Sequence, residues 1–93
     1  MITKWIQFTV EPGKADHFSD ALAKLELASK AESGCAHYAA FRDADAAEVF
    51  TVLESWETAE AFEAHRVSPH VKAFKNHCGE MILEKTGQTL KPV

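Results

Sequence analysis

Residues 54–74 read Glu-Ser-Trp-Glu-Thr-Ala-Glu-Ala-Phe-Glu-Ala-His-Arg-Val-Ser-Pro-His-Val-Lys-Ala-Phe, and the way this run divides decides the fold. Its first three residues close a stretch over 48–56 rich in β-branched and aromatic side chains, which reads as a strand. Thr58 can cap a short helix through about residue 65, with Glu60 and Glu63 near its electropositive start. Ser68-Pro69 opens a second helix, with Ser at the cap and Pro at the first helical position, where a missing N–H costs little. Val71, Phe74 and Cys78 give that helix its buried side, and Gly79 ends it. The same stretch holds Glu54, Trp56, Phe62, His65, His70 and Phe74, the densest mixture of aromatic and titratable groups in the chain. An active site is expected here.

Working outward, Phe50, Val52, Glu54 and Trp56 face one way on strand 48–56, and Val49, Thr51, Leu53 and Ser55 the other. Both sides are substantially apolar, whereas a sheet covered on one side only normally shows a polar outer face. The second face is therefore expected to be covered by another subunit. Residues 35–42 read as the preceding strand, joined by a small polar hairpin loop at 43–47. Before it, Ala15, Phe18, Leu22, Leu25 and Ala28 form one apolar stripe on a long helix over 14–32. Lys14, Asp20, Lys24, Lys30 and Glu32 fall mostly on its solvated side, and His17 is read as solvated. Gly34 suits the stop because it tolerates a left-handed backbone. Residues 2–10 alternate as a strand that Pro12-Gly13 turns into the helix. Residues 80–89 read as the last strand, with a tail at 90–93. The order β-α-β-β-α-β, its second α in two pieces, is the ferredoxin-like split arrangement. It predicts one α+β domain over 1–93, with a four-stranded antiparallel sheet and all helices on one face.

A chain of 93 residues buries only about 60–70% of the surface its unfolded state exposes, so a partner subunit would add to a modest core. The net charge is −4 and no Lys/Arg cluster is visible, which argues against nucleic acid and against an anionic membrane surface. No apolar run approaches the roughly 18 residues of a membrane span, and the N-terminus lacks a signal-peptide pattern. Cys35 and Cys78 have no metal-ligand spacing. A cytoplasmic protein without a disulfide is the expectation. No metal site is expected either, since no two His or Cys sit at i, i+4 on one helix and His65 and His70 are separated by a turn.

At Glu54-x-Trp56, Phe62-x-x-His65, Ser68-Pro69-His70 and Phe74, with the Pro12-Gly13 corner and Gly34-Cys35, the chain resembles the antibiotic biosynthesis monooxygenase family. It is most similar to the small quinol-monooxygenase-like members. The resemblance covers nearly the whole chain and implies a homodimer whose sheets pack face to face in an α/β-barrel-like assembly. It also implies cofactor-independent oxygenation of a hydroquinone or polyphenol, with molecular oxygen as co-substrate. Haem-degrading relatives carry a Trp where this chain has His65, a ligating His where it has Lys75, and an Asn in the first strand, which offers only Gln7. His77 lies two positions past the ligating one.

Such chemistry needs a base, because a phenol gives an electron to O2 far better as its anion, and imidazole suits that task. His65 is the candidate base, with Glu54 to hold its tautomer. Trp56, Phe62, Phe74 and Tyr38 could wall a flat aromatic substrate, and His70 could donate to a substrate oxygen. Each also has a structural reading: His65 and His70 as helix-terminal residues, Glu54 held by backbone N–H groups, the aromatics as plain core. Two further functions fit the same residues: a dimeric small-molecule-binding module without catalysis, and a cofactor-free isomerase or signal-degrading enzyme.

Overall fold

Strand β1 (Ile2–Val10) runs between two neighbours in the computed structural model, which describes all 93 residues. The sheet order is β2 (Cys35–Arg42), β3 (Val49–Trp56), β1 and β4 (Ile82–Leu90), every pair antiparallel. Helices α1 (Ala15–Lys30), α2 (Ala59–Arg66) and α3 (Pro69–Cys78) complete the ferredoxin-like α+β arrangement. The alternation on β3 is followed residue by residue. Phe50, Val52, Glu54 and Trp56 are buried, while Val49, Thr51, Leu53 and Ser55 are half-buried on the face without helices.

Phe18 of α1 is the hub of the core. Its ring centroid lies 5.5 Å from Phe8, 4.9 Å from Phe50 and 5.4 Å from Phe74, so one side chain ties α1 and α3 to the two central strands. Truncating such a buried ring to Ala costs about 3–5 kcal/mol. The caps are those the sequence calls for: Thr58 Oγ1 accepts from Ala61 N at 3.1 Å, and Ser68 Oγ accepts from Val71 N at 3.3 Å.

Several boundaries differ from expectation by one or two residues, and one matters for the site. The long helix ends at Lys30 rather than 32, and a 3-10 turn at Pro12–Lys14 precedes it. Glu32 therefore leaves the solvated helix face and belongs to the turn before β2. Gly34 in that turn has φ of 83°. A Cβ there would come 2.6 Å from Ala61 Cβ, so glycine is required both by the backbone and by the close approach of α2. At the other end, Gly79–Met81 continues α3 as a 3-10 turn and β4 starts at Ile82. A register shift between Thr9 and Val10 leaves Leu83 exposed beside it.

Candidate active site

His65 is the last but one residue of α2, and the turn after it is fixed by one side chain. Ser68 donates its hydroxyl to His65 O at 2.7 Å while capping α3. That turn folds α3 back, so the rings of His65 and His70 stand 6.1 Å apart. Both converge on Glu32. His65 Nδ1 is 2.6 Å, and His70 Nε2 2.8 Å, from the same Glu32 oxygen, Oε2. The carboxylate accepts from both rings, which sets the protonated nitrogen of each.

The other side of the His65 ring meets the sheet. Its Nε2 is 3.8 Å from Glu54 Oε1, beyond hydrogen-bond length. Glu54 is buried in the middle of β3 and accepts the indole N–H of Trp56 at 2.9 Å. The Trp56 ring backs the imidazole at 4.5 Å and 30°, and Tyr38 lies 5.7 Å away. Burial, and after it the charge of Glu54, push the Tyr38 phenol well above its ordinary range. Tyr38 thus stays protonated at neutral pH and is not a base. Burial likewise raises the thiols of Cys35 and Cys78, both free.

A cleft of about 220 Å³ opens beside this group. Tyr38, Glu54, Phe62, His65 and Phe74 line it, together with Arg66, Lys75 and Lys85 at its rim. Five of the seven residues singled out by sequence are thereby brought together. Trp56 is not in the wall: it is fully buried behind His65. His70 is not there either. It lines a separate groove of about 480 Å³ between α1 and α3, which also holds His17 and His77, with their Nε2 atoms 2.7 Å apart.

Sequence reasoning missed Glu32, because helical periodicity extended α1 by one residue pair too many. The carboxylate on Nδ1 is Glu32; Glu54 stands on the opposite nitrogen. The spacing rule that spoke against a metal site also needs correcting. Glu32, His65 and His70 offer three ligand atoms within 4.8 Å of one another, since a tight turn brings together what helical spacing would separate. These are the residues that could hold a divalent cation; here the same atoms make the two hydrogen bonds. Gln7 pairs with Thr51 and Thr86 on the face away from the cleft, and Lys75 stands at the cleft rim.

A profile of the antibiotic biosynthesis monooxygenase family matches residues 1–77. The chain belongs to that family. Solved structures of similar fold include a protein of Nitrosomonas europaea named for the same family, with TM-score 0.94 at 19% identity over 100% of this chain and 99% of that one. A Pseudomonas aeruginosa protein superposes with TM-score 0.93 at 25% identity, covering 99% and 93% of the two chains. A Mycobacterium tuberculosis protein gives 0.89 at 22%, covering 99% and 94%. Within this family frame, Glu54 and His65 are buried titratable side chains that both line the cleft.

Proposed function

We propose that this member of the antibiotic biosynthesis monooxygenase family is a cofactor-independent monooxygenase acting on a hydroquinone- or polyphenol-type aromatic. The observation that carries the reading is the orientation of His65. Its Nδ1 is tied to Glu32 at 2.6 Å, its Nε2 makes no hydrogen bond, and the residue lines the cleft. A neutral imidazole so held presents its basic nitrogen to whatever occupies the cleft. Phe62 and Phe74 offer flat apolar walls for a ring. Nε2 takes the phenolic proton, and the imidazolium is held between the carboxylates of Glu32 and Glu54. The electron-rich phenolate then reduces O2. One oxygen atom enters the ring to give a hydroxyquinone, and the other leaves as water with the two hydrogens the ring gives up. The ring supplies all the electrons, so no other reductant enters.

Oxygen uptake under metal-free conditions with a panel of hydroquinones tests this. Turnover above buffer autoxidation, lost in His65→Ala, is expected. No turnover of any member, or a His65→Ala protein as active as the parent, overturns it.

The same reading makes the protein a homodimer. The face of the sheet without helices carries Trp5, Leu53 and Val49 half-buried and Phe41 57% exposed, an apolar surface of the kind subunits cover. Sedimentation at micromolar concentration is expected to give a dimer, and a stable monomer would refute it. No helix is long and apolar enough to cross a membrane. Both free thiols suit the reducing cytoplasm, where we place the protein.

A further inference from the structure

Four cations surround the cleft of an acidic chain. Arg66, Lys75 and Lys85 line the cavity beside His65. Lys4, Arg66 and Lys85 line an outer vestibule of about 430 Å³ that shares Ile6 and Phe62 with it. The only carboxylate in either wall is Glu54, at the buried end. The whole chain has 14 acidic residues against 10 basic ones, so the cleft reverses the sign of the molecule around it, and a concave low-dielectric site concentrates such a field.

Sheet register explains the placement. Lys4 pairs with Glu54, and Lys85 with Phe8, so both project from the helix-facing side of the sheet at its β1–β4 end. Arg66 and Lys75 reach the rim from the ends of α2 and α3. Little of this charge is spent within the protein. Arg66 pairs with Glu63 at 3.1 Å. Lys4 donates to the Thr89 hydroxyl at 2.6 Å and lies 5.2 Å from the centre of the Phe62 ring. Lys75 and Lys85 form no ion pair; Lys85 lies 5.8 Å from the centre of the Phe8 ring. Gly87, opposite Ile6 on the same side of β4, leaves the vestibule clear. A Cβ there would meet only ordinary contacts, 3.7 Å to Trp5 O and 3.9 Å to Ile6 Cγ1.

We propose that the cleft takes an aromatic acid. Its ring lies against Phe62 and Phe74 beside His65, and its carboxylate points outward to Lys75 and Lys85. Glu54 at the inner end repels that carboxylate, so charge sets the direction of entry. The proposal rests on the reading of this cleft as the substrate site, and it is tested by binding rather than turnover.

Calorimetric titration compares hydroquinone with gentisate, the same ring bearing one carboxylate. Two partly exposed ion pairs of about 0.2–1 kcal/mol each correspond to roughly tenfold tighter binding of gentisate at low salt, an advantage that shrinks as salt is added. The double variant Lys75→Gln/Lys85→Gln is expected to abolish the advantage, so that gentisate binds no tighter than hydroquinone. Lys72→Gln, exposed on α3 and outside both walls, is expected to preserve it. Gly87→Phe is expected to block both ligands. Equal affinities, no gentisate binding, or an advantage that survives the double variant would overturn the proposal. Gentisate bound as described, with neither it nor any hydroquinone oxidised, would sink the oxygenase reading and leave this one standing. Hydroquinone turned over with gentisate excluded would do the reverse.

Discussion

Replacing Glu32 measures how far the site depends on a residue that sequence places in solvent. Its Oε2 accepts from His65 Nδ1 at 2.6 Å and from His70 Nε2 at 2.8 Å. The side chains are 16% exposed for Glu32, 7% for His65 and 27% for His70. A hydrogen bond to a charged group contributes about 1.5–3 kcal/mol, and a buried donor left without an acceptor costs about 1–3 kcal/mol. His70 can turn to water once its acceptor is gone, so most of the loss sits at His65. Glu32→Ala is therefore expected to destabilise the fold by about 2–4 kcal/mol, which for a chain of this length lowers Tm by roughly 10–25 °C. Glu32→Gln keeps one carbonyl acceptor and is expected to cost about half as much. Urea denaturation with an unchanged m-value is the assay. A double-mutant cycle with His65→Ala should return a coupling above about 1 kcal/mol. A Glu32→Ala protein within about 0.5 kcal/mol of the parent would behave like an ordinary surface substitution. That result would refute the anchoring of His65, and with it the orientation on which the chemistry rests.

Three other outcomes are expected. Tyr38 is the only tyrosine, so near-ultraviolet tyrosinate absorbance reads it directly. Since the fold raises its pKa, the native chain should titrate above the ordinary value of about 10. The unfolded chain loses this proton first, so stability holds below about pH 10 and falls above it by up to ~1.4 kcal/mol per pH unit; Tyr38→Phe should flatten that slope, and a native midpoint at the ordinary value would contradict the burial argument. Gly34→Ala combines a positive φ with a 2.6 Å contact on Ala61 and should cost about 1–3 kcal/mol in denaturation; a neutral substitution would show that α2 can retreat from the turn. Cys78, fully buried and with a raised thiol pKa, should react with a disulfide reagent at neutral pH far more slowly than a free thiol does, and its rapid modification in the native chain would count against that burial.

Local signals carried well from sequence to structure. The alternation of β3 and the caps at Thr58 and Ser68-Pro69 depend on neighbours a few residues away, and each stands where its own chemistry puts it. Glu32 was illegible because its position turns on a helix ending at Lys30, two residues before periodicity alone would end it. It turns also on α2 pressing against that turn at Gly34. The convergence of His65 and His70 was hidden for a related reason, since spacing rules assume one continuous helix and here Ser68 folds the chain between them. Trp56 was placed on the correct side of its strand, but depth within the core is a tertiary property, and it ended behind the imidazole rather than in the cleft wall. The rim cations escaped notice because Lys4, Arg66, Lys75 and Lys85 are scattered over most of the chain. Only strand register and helix ends gather them.

The cleft is assembled from two kinds of position, and this separates what can drift from what cannot. Glu54 and His65 are sunk in the core, and any replacement there must repack buried space and leave Trp56 or Glu32 without its hydrogen-bond partner. Lys75 and Lys85 are exposed, where most exchanges alter stability by no more than about 0.5 kcal/mol. A lineage carrying this scaffold can therefore change the charge it welcomes at the entrance by single, nearly cost-free steps while its inner machinery stays fixed. On such a scaffold, substrate preference is the trait expected to diverge first.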